Sequence, residues 1–377
     1  MLRVRVALFL LGLISVLPPA AAQPAPVKAH TALVHAVVVS PDGKTLATAG
    51  FDNVVKLWGV GPDGALTERK VALTGHVGPV YAVAFHPTDA KLVATASQDK
   101  TAKIWDLTDG KSKVELKGHA DIVDAVAFSP DGKTLATAGA DKTVRLWNPT
   151  DGKELKNLGA HDGSVYSLAF SPDGKLLVSA GAGKDNLVKV WDVKGQKEVT
   201  QLKGHEQPVT SVTFAGNDMI VTASMDRTIR TWTTKDVAEP KKDVPEPKKE
   251  AKEPKKDAKD SKKDAEPKKD GKDKKDAKEP KDAKEPKEAK EYKDPKELKK
   301  FGPTSDDPYA IAWSEKTKTL AVCGYSGQVT LWGLDSDKPR LTKAVKSPGY
   351  CVAFTADGAG VFTGHDNGTV AFTPTGK

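Results

Sequence analysis

Residues Gly118 to Asn148, GHADIVDAVAFSPDGKTLATAGADKTVRLWN, carry three short strands and the turns between them. Val123 to Phe128 alternates, SPDGK (Ser129 to Lys133) is a Pro/Asp/Gly turn, and Thr134 to Ala138 alternates again. A tight turn over Ala140 to Lys142 then leads into Thr143 to Trp147. Period-two alternation broken by such turns predicts antiparallel strands. The chain repeats this unit along its length, so the repeat governs the fold.

Aligned on the Trp that ends each unit, the repeats close at Trp58, Trp105, Trp147, Trp191, Trp232 and Trp332, with Phe372 in that slot last. Except between Trp232 and Trp332, the spacing is roughly forty to forty-seven residues, the period of four-stranded propeller blades. Six residues before each aromatic stand Asp52, Asp99, Asp141, Asp185, Asp226, Ser326 and Asp366. Upstream come His30, His76, His119, His161 and His205. With these Gly-His and Ala-His openings, Asp turns and terminal Trp residues, the chain after residue 25 resembles the WD40-repeat family. The resemblance implies an all-β, seven-bladed WD40-type propeller.

The first residues read as an address. Arg3 and Arg5 precede an apolar run from Val6 to Leu17, and Ala20 to Ala22 supply small residues before Gln23. That pattern predicts a secretory signal peptide over 1–22, its apolar run too short to span a membrane. The propeller is expected over 23–377. The formal charge is +8, but two positive charges belong to the leader. Between residues 236 and 300, 24 Lys face 20 Asp and Glu, so four more belong there. The propeller is then close to neutral, which argues against nucleic acid as a partner. Cys351 and Cys323 fall where other repeats carry Ala or Ser, and read as small buried residues. A disulfide between adjacent blades is the alternative.

Ser/Thr, His and Asp recurring together invite a catalytic reading, and the family resemblance implies a structural one. His76, Thr95, Asp99 and Trp105 in repeat two, His119, Thr137, Asp141 and Trp147 in repeat three, and His205, Thr222, Asp226 and Trp232 in repeat five resemble the hydrogen-bonded network that ties a blade together. Such a network satisfies buried polar groups that otherwise cost about 1–3 kcal/mol each. Repeat four keeps it with Ser179 and a longer turn before Asp185. Repeat six has Thr304, Val322 and Ser326 in the His, hydroxyl and Asp slots; repeat seven has Phe362 and Phe372 in the hydroxyl and Trp slots. Blades six and seven are therefore expected to rest mainly on apolar packing and to open first.

Only Thr373 to Lys377 follow Phe372, too little for a fourth strand, whereas Pro26 to His30 sits where Lys113 to His119 supplies an outer strand. The N-terminal segment is thus predicted to close the ring on the last blade. Residues 236–293, built of Lys, Asp, Glu, Pro and Ala, have almost nothing apolar to bury and are predicted to be a disordered loop. DPKELKKFGPTSDDPYAIAW (Asp294 to Trp313) aligns without a gap on DGKELKNLGAHDGSVYSLAF (Asp151 to Phe170). The insertion therefore enlarges the turn between the third and fourth strands of blade five. From Lys278 to Lys299 every third residue is Lys, the period of a polyproline II helix. That Lys stripe reads as a solvated spacer or as a contact for anionic envelope polymer, one that weakens as salt rises.

No metal cluster, phosphate loop or nucleophile motif occurs, so no cofactor or metal is expected and function must come from surfaces. The family resemblance places contact positions around one end of the channel. In the first strands these are His35, Tyr81, Asp124, Tyr166, Thr210, Tyr309 and Tyr350. Before the turn Asp they are Phe51, Gln98, Ala140, Lys184, Met225, Tyr325 and His365. Five of six tyrosines fall here, and Tyr is enriched at interfaces. Tyr309, Tyr325 and Tyr350, beside Phe51, are the expected hot spot; plugging the channel mouth is the bland alternative. The expectation is a non-enzymatic scaffold, exported to a periplasm or the exterior of a bacterial cell, binding a protein or peptide there. It would act as a monomer or within a hetero-complex, without a transmembrane segment. The alternatives are an exported lyase or hydrolase using Asp124, His35 and His365, or an anchoring protein acting through the Lys-rich loop.

Overall fold

The computed structural model describes residues 23–183, 186–235, 237, 295–302, 304–345 and 347–376. The expected signal peptide, the 236–293 insertion apart from Val237, Lys184 and Asp185 lie outside the described residues. The described elements are all strands, in seven four-stranded antiparallel sheets. Blade three shows the plan: Val123–Phe128 innermost, then Leu135–Gly139, Thr143–Trp147 and Glu154–Ala160 outermost. The other inner strands are Val34–Val39, Val80–Phe85, Val165–Phe170, Val209–Phe214, Pro308–Ser314 and Gly349–Phe354.

Adjacent blades bury their faces against each other. Ala47, Ala49, Val55 and Leu57 of blade one pack with Val83, Val93 and Trp105 of blade two, and the pattern recurs around the ring. Small Ala residues in the second strands let the neighbouring Trp approach, which is why Ala recurs there. Both cysteines are free and buried at such sheet-to-sheet contacts. Burial pushes the Cys351 thiol up to about 12 and the Cys323 thiol well above its ordinary value.

Val27–Lys28 pairs antiparallel with Thr369–Pro374 and becomes the outer strand of blade seven, so the N-terminal strand closes the ring. Ala29 and His30 continue the contact by donating to the Gly368 carbonyl at 2.9 and 3.0 Å. In blade five, Thr228–Thr233 pairs with Glu297–Phe301, with Trp232 opposite Glu297. Residues 238–294 thus join two neighbouring strands of one sheet.

Blade seven departs from the sequence alignment by one residue. Val352 pairs with Thr363 as Val37 pairs with Thr48, and Val361 pairs with Thr373 as Leu46 pairs with Trp58. The hydroxyl slot is therefore Thr363, not Phe362, and the Trp slot is Thr373, not Phe372. Asn367 takes the place given to Asp366, and His365 the place of Gly50. Phe362 and Phe372 instead pack on each other at 5.1 Å between ring centroids.

Candidate functional site

The five complete or near-complete networks are linear chains of donors. In blade three, Trp147 Nε1 donates to Thr137 Oγ1 at 2.7 Å, and His119 Nε2 lies 2.7 Å from the same hydroxyl. His119 Nδ1 lies 2.8 Å from Asp141. A carboxylate only accepts, so Nδ1 carries the proton and Nε2 accepts the hydroxyl proton. Burial pushes the His119 pKa down, outweighing Asp141, so the ring stays neutral. Equivalent bonds run through Thr95 in blade two, Thr222 in blade five and Thr48 in blade one. Burial raises the Asp99 and Asp226 carboxyls, but hydrogen bonds from His76 and His205 and from neighbouring threonines hold them well below the ordinary range. In blade four, His161 and Trp191 meet on Ser179. These groups are far too evenly distributed to form one reaction centre.

The Asp also holds the turn. Asp141 Oδ1 accepts from the Thr143 amide while Lys142 sits at φ 70°, a conformation L side chains rarely adopt. Asn53, Lys100 and Arg227 occupy the same slot in blades one, two and five. Blades six and seven lack the His–Asp pair in this arrangement and carry Gly327 and Gly368 there instead, at φ 70° and 78°. A Cβ on Gly327 would stand 2.2 Å from the Val345 carbonyl oxygen. A Cβ on Gly368 would likewise stand 2.2 Å from the His30 carbonyl oxygen, so only glycine fits in these two turns.

In blade six, Trp332 Nε1 turns to Thr330 Oγ1 at 3.0 Å, since Val322 offers no acceptor. The vacated His position leaves a cavity of about 160 Å³ beside Thr304, Val322, Cys323 and Trp332. Blade seven rebuilds part of the network from another position: His365 Nε2 lies 2.9 Å from Thr363 Oγ1, and Nδ1 reaches the Ser347 carbonyl at 3.0 Å. His365 is 1% exposed and does not stand on the proposed contact face. This corrects its assignment there and as an acid–base candidate. The cause is the one-residue offset of blade seven, which puts Asp366 at the surface position instead.

At one end of the central channel, His35, Tyr81, Asp124, Tyr166, Thr210, Tyr309 and Tyr350 line a funnel of about 230 Å³ with Met225. They are the second residues of the seven inner strands. Each sheet register skips at that residue: between Val34 and Ala36, Val80 and Ala82, Val123 and Ala125, Val165 and Ser167, Val209 and Ser211, Pro308 and Ala310, and Gly349 and Cys351. A β-bulge leaves one residue unpaired and re-aims its side chain. Seven bulges thus turn seven side chains into one funnel.

Its wall is aromatic on two sides. His35 stacks on Phe51 at 5.4 Å and meets Tyr81 at 4.9 Å, while His35 Nδ1 bonds the Tyr81 carbonyl at 2.6 Å. Tyr309 and Tyr350 stack across blades six and seven at 4.9 Å. Tyr325 stands beside them, 62% exposed, and Tyr166 is 40% exposed. Burial pushes the His35 pKa down and those of Tyr81 and Tyr166 up, the charge of Asp124 adding to the latter two. Asp124 makes no hydrogen bond or ion pair with a described residue, and burial pushes its carboxyl up to about 7, with Asp121 and Asp141 adding. Gln98 and Ala140 do not line the funnel. Sequence reasoning missed the acidic pair Asp306 and Asp307 near Tyr309; its signal was TSDDPY where repeat four has HDGSVY.

The family described as WD domain, G-beta repeat, matches residues 23–59, 67–106, 110–148, 152–192 and 196–233, over half of the chain. The chain belongs to the WD40-repeat family. It is 44% identical over 94 residues to Coronin-7 of Bos taurus, covering 24% of this chain and 10% of that protein. It is 36% identical over 104 residues to small ribosomal subunit protein RACK1 of Caenorhabditis elegans, covering 27% and 30%. With THO complex subunit 3 of Arabidopsis thaliana the identity is 33% over 105 residues, covering 27% and 32%. The chain thus spans a third or less of these relatives. Among the described residues, no helix is long and apolar enough to cross a membrane, and no group of His, Cys, Asp and Glu has the makings of a metal site.

Proposed function

We propose that this WD40 propeller is a non-enzymatic scaffold, exported from the cell, that binds a protein or peptide partner through the tyrosine-lined funnel and its rim. The observation that carries the reading is the ring of seven bulges. Positions released from sheet pairing are filled by four tyrosines, a histidine, a threonine and an aspartate, while the His–hydroxyl–Trp network behind them recurs in blades one to five. Exposed Tyr166 and Tyr325 offer large apolar faces with a hydroxyl, the chemistry of protein interfaces. His35 is tied to a backbone carbonyl, and Asp124 has no partner to share a proton with, which disfavours paired acid–base chemistry. Two relatives are by name parts of assemblies, a ribosomal subunit protein and a complex subunit. Export is supported by Arg3, Arg5 and the apolar run from Val6 to Leu17.

The test is a pull-down from an envelope extract, comparing the parent with a Tyr309→Ala/Tyr325→Ala/Tyr350→Ala variant of equal folding. Partners lost only with the variant support the reading. Identical partners with both overturn it, and deletion of residues 238–294 then tests the Lys-rich segment. That segment joins strands ending opposite the funnel, so partner and segment would act on different faces.

A further inference from the structure

Among the described residues, the fully buried side-chain polar atoms without a partner are Arg230 Nε and Thr317 Oγ1; the funnel wall holds an unpaired carboxyl of another kind, whose oxygens still reach solvent. Asp124 is a half-buried carboxyl in an aromatic funnel, with no hydrogen bond and no ion pair to a described residue. Tyr81 from blade two and Tyr166 from blade four flank it closely enough to feel its charge. A carboxylate in such a place is costly unless something supplies the missing partner.

The surroundings select the partner's sign. Asp121 and Asp141 approach from Asp124's own blade, and exposed Asp121, Asp162, Glu206 and Asp366 lie in the loops of this face. Of the cations in the turns of this face, Arg227 pairs with Asp307 at 3.1 Å and Lys100 Nζ bonds the Ala120 carbonyl at 2.9 Å, while Lys142 is exposed to solvent. Size selects the rest. At about 230 Å³ the funnel is smaller than the roughly 300–1,000 Å³ of pockets for drug-sized ligands, and suits a side chain. Tyr faces attract cations and pack along aliphatic stems.

Resting on the reading of this face as the partner site, we infer that the funnel takes one cationic side chain, lysine or arginine, of the partner peptide, its head on Asp124 and its stem between the Tyr81 and Tyr166 rings. An occupied funnel gives Asp124 its missing partner and desolvates the cation against rings that favour it. Because the cation needs a carboxylate and burial raises the Asp124 carboxyl to about 7, binding takes up the charged form and weakens as pH falls through that value. Tyr81 and Tyr166, pushed above their ordinary range, stay neutral throughout. His35, pushed down, stays neutral until the solution is acid.

The test uses the 23–377 chain and capped five-residue peptides, Gly-Ala-Lys-Ala-Gly and versions with Arg, norleucine or Glu at the centre, followed by calorimetry or tyrosine fluorescence. The Lys or Arg peptide should bind at least about tenfold more tightly than the norleucine one near pH 8, with Glu weakest. Lowering the pH to about 5.5 should weaken the cationic peptide by about thirtyfold, tenfold per unit below the carboxyl's midpoint. Asp124→Asn should erase both the preference and the pH dependence. Norleucine binding as tightly as lysine, or a preference surviving Asp124→Asn, overturns the inference. It leaves the face reading standing if Tyr81→Ala and Tyr166→Ala still weaken the peptides. No binding of any peptide at millimolar concentration overturns the inference too, while the pull-down tests the face separately.

Discussion

Replacing Thr137 by Val keeps the shape of the side chain and removes one oxygen. That oxygen accepts from Trp147 Nε1 at 2.7 Å and bonds His119 Nε2 at 2.7 Å, with Thr137 0% and Trp147 1% exposed. Neither orphaned group reaches water, and each costs about 1–3 kcal/mol. The expected loss is about 2–5 kcal/mol, read from urea unfolding followed by Trp fluorescence with an unchanged m-value. Blade six supplies the control. There Val322 occupies the same slot, and Trp332 donates to Thr330 on the third strand, opposite Val322. The residue opposite Thr137 is Arg145. Adding Arg145→Thr to Thr137→Val should therefore recover roughly half the loss, since the Arg145–Glu154 pair it removes is a surface pair worth about 1 kcal/mol or less. A single variant losing under about 0.5 kcal/mol, or a double variant no more stable than the single, would refute the network as a source of stability.

Three further outcomes follow from the same structure. Asp124→Asn should stabilise the fold near pH 8 by at most about 4 kcal/mol, and not at all near pH 4. The folded-state pKa lies above the unfolded value, so the folded chain holds a proton the unfolded one has lost and stability falls as pH rises from about 4 to 7; equal effects at both pH values would contradict this. Deleting residues 23–28 removes the outer strand of blade seven and exposes Thr369–Pro374 as an edge, with an expected cost of about 1–3 kcal/mol and concentration-dependent association by light scattering. Hydrogen exchange should be fastest in blade six, whose His slot is a cavity and whose Trp332 has lost the hydroxyl acceptor of the second strand. Uniform protection across the seven blades would contradict that.

The blades were legible because their polar residues are spaced as the network needs them, and closure was legible by counting strands from both ends. Blade seven was misread for a physical reason. With no Trp to mark the slot, Phe372 is the nearest aromatic, yet its ring packs on Phe362 and Thr373 takes the Trp position. A slip of one residue exchanges the two faces of a strand, so every assignment through Asp366 moved with it. His365 therefore left the contact face and entered the core. The seven funnel positions were legible from the repeat, but not the bulges that aim them, because a bulge is a choice of backbone pairing that no single side chain declares.

The distribution of constraint within a blade separates what holds the molecule from what it presents. His, Ser or Thr, and Trp recur wherever a buried donor needs an acceptor, and where the set breaks, Gly327, Gly368, Thr330 or His365 takes over part of the task. The bulged positions show no such compensation. Tyr, Asp, His and Thr stand in equivalent places, so sheet stability does not dictate their identity. Asp124 goes further, since burial charges the fold for keeping it ionised and no described neighbour relieves the strain. A residue that local packing does not require, in the wall of a funnel lined by tyrosines, fits a partner that brings the opposite charge. Stability in the Asp124→Asn variant and loss of cation preference in the same protein would then be two readings of one unpaired carboxylate.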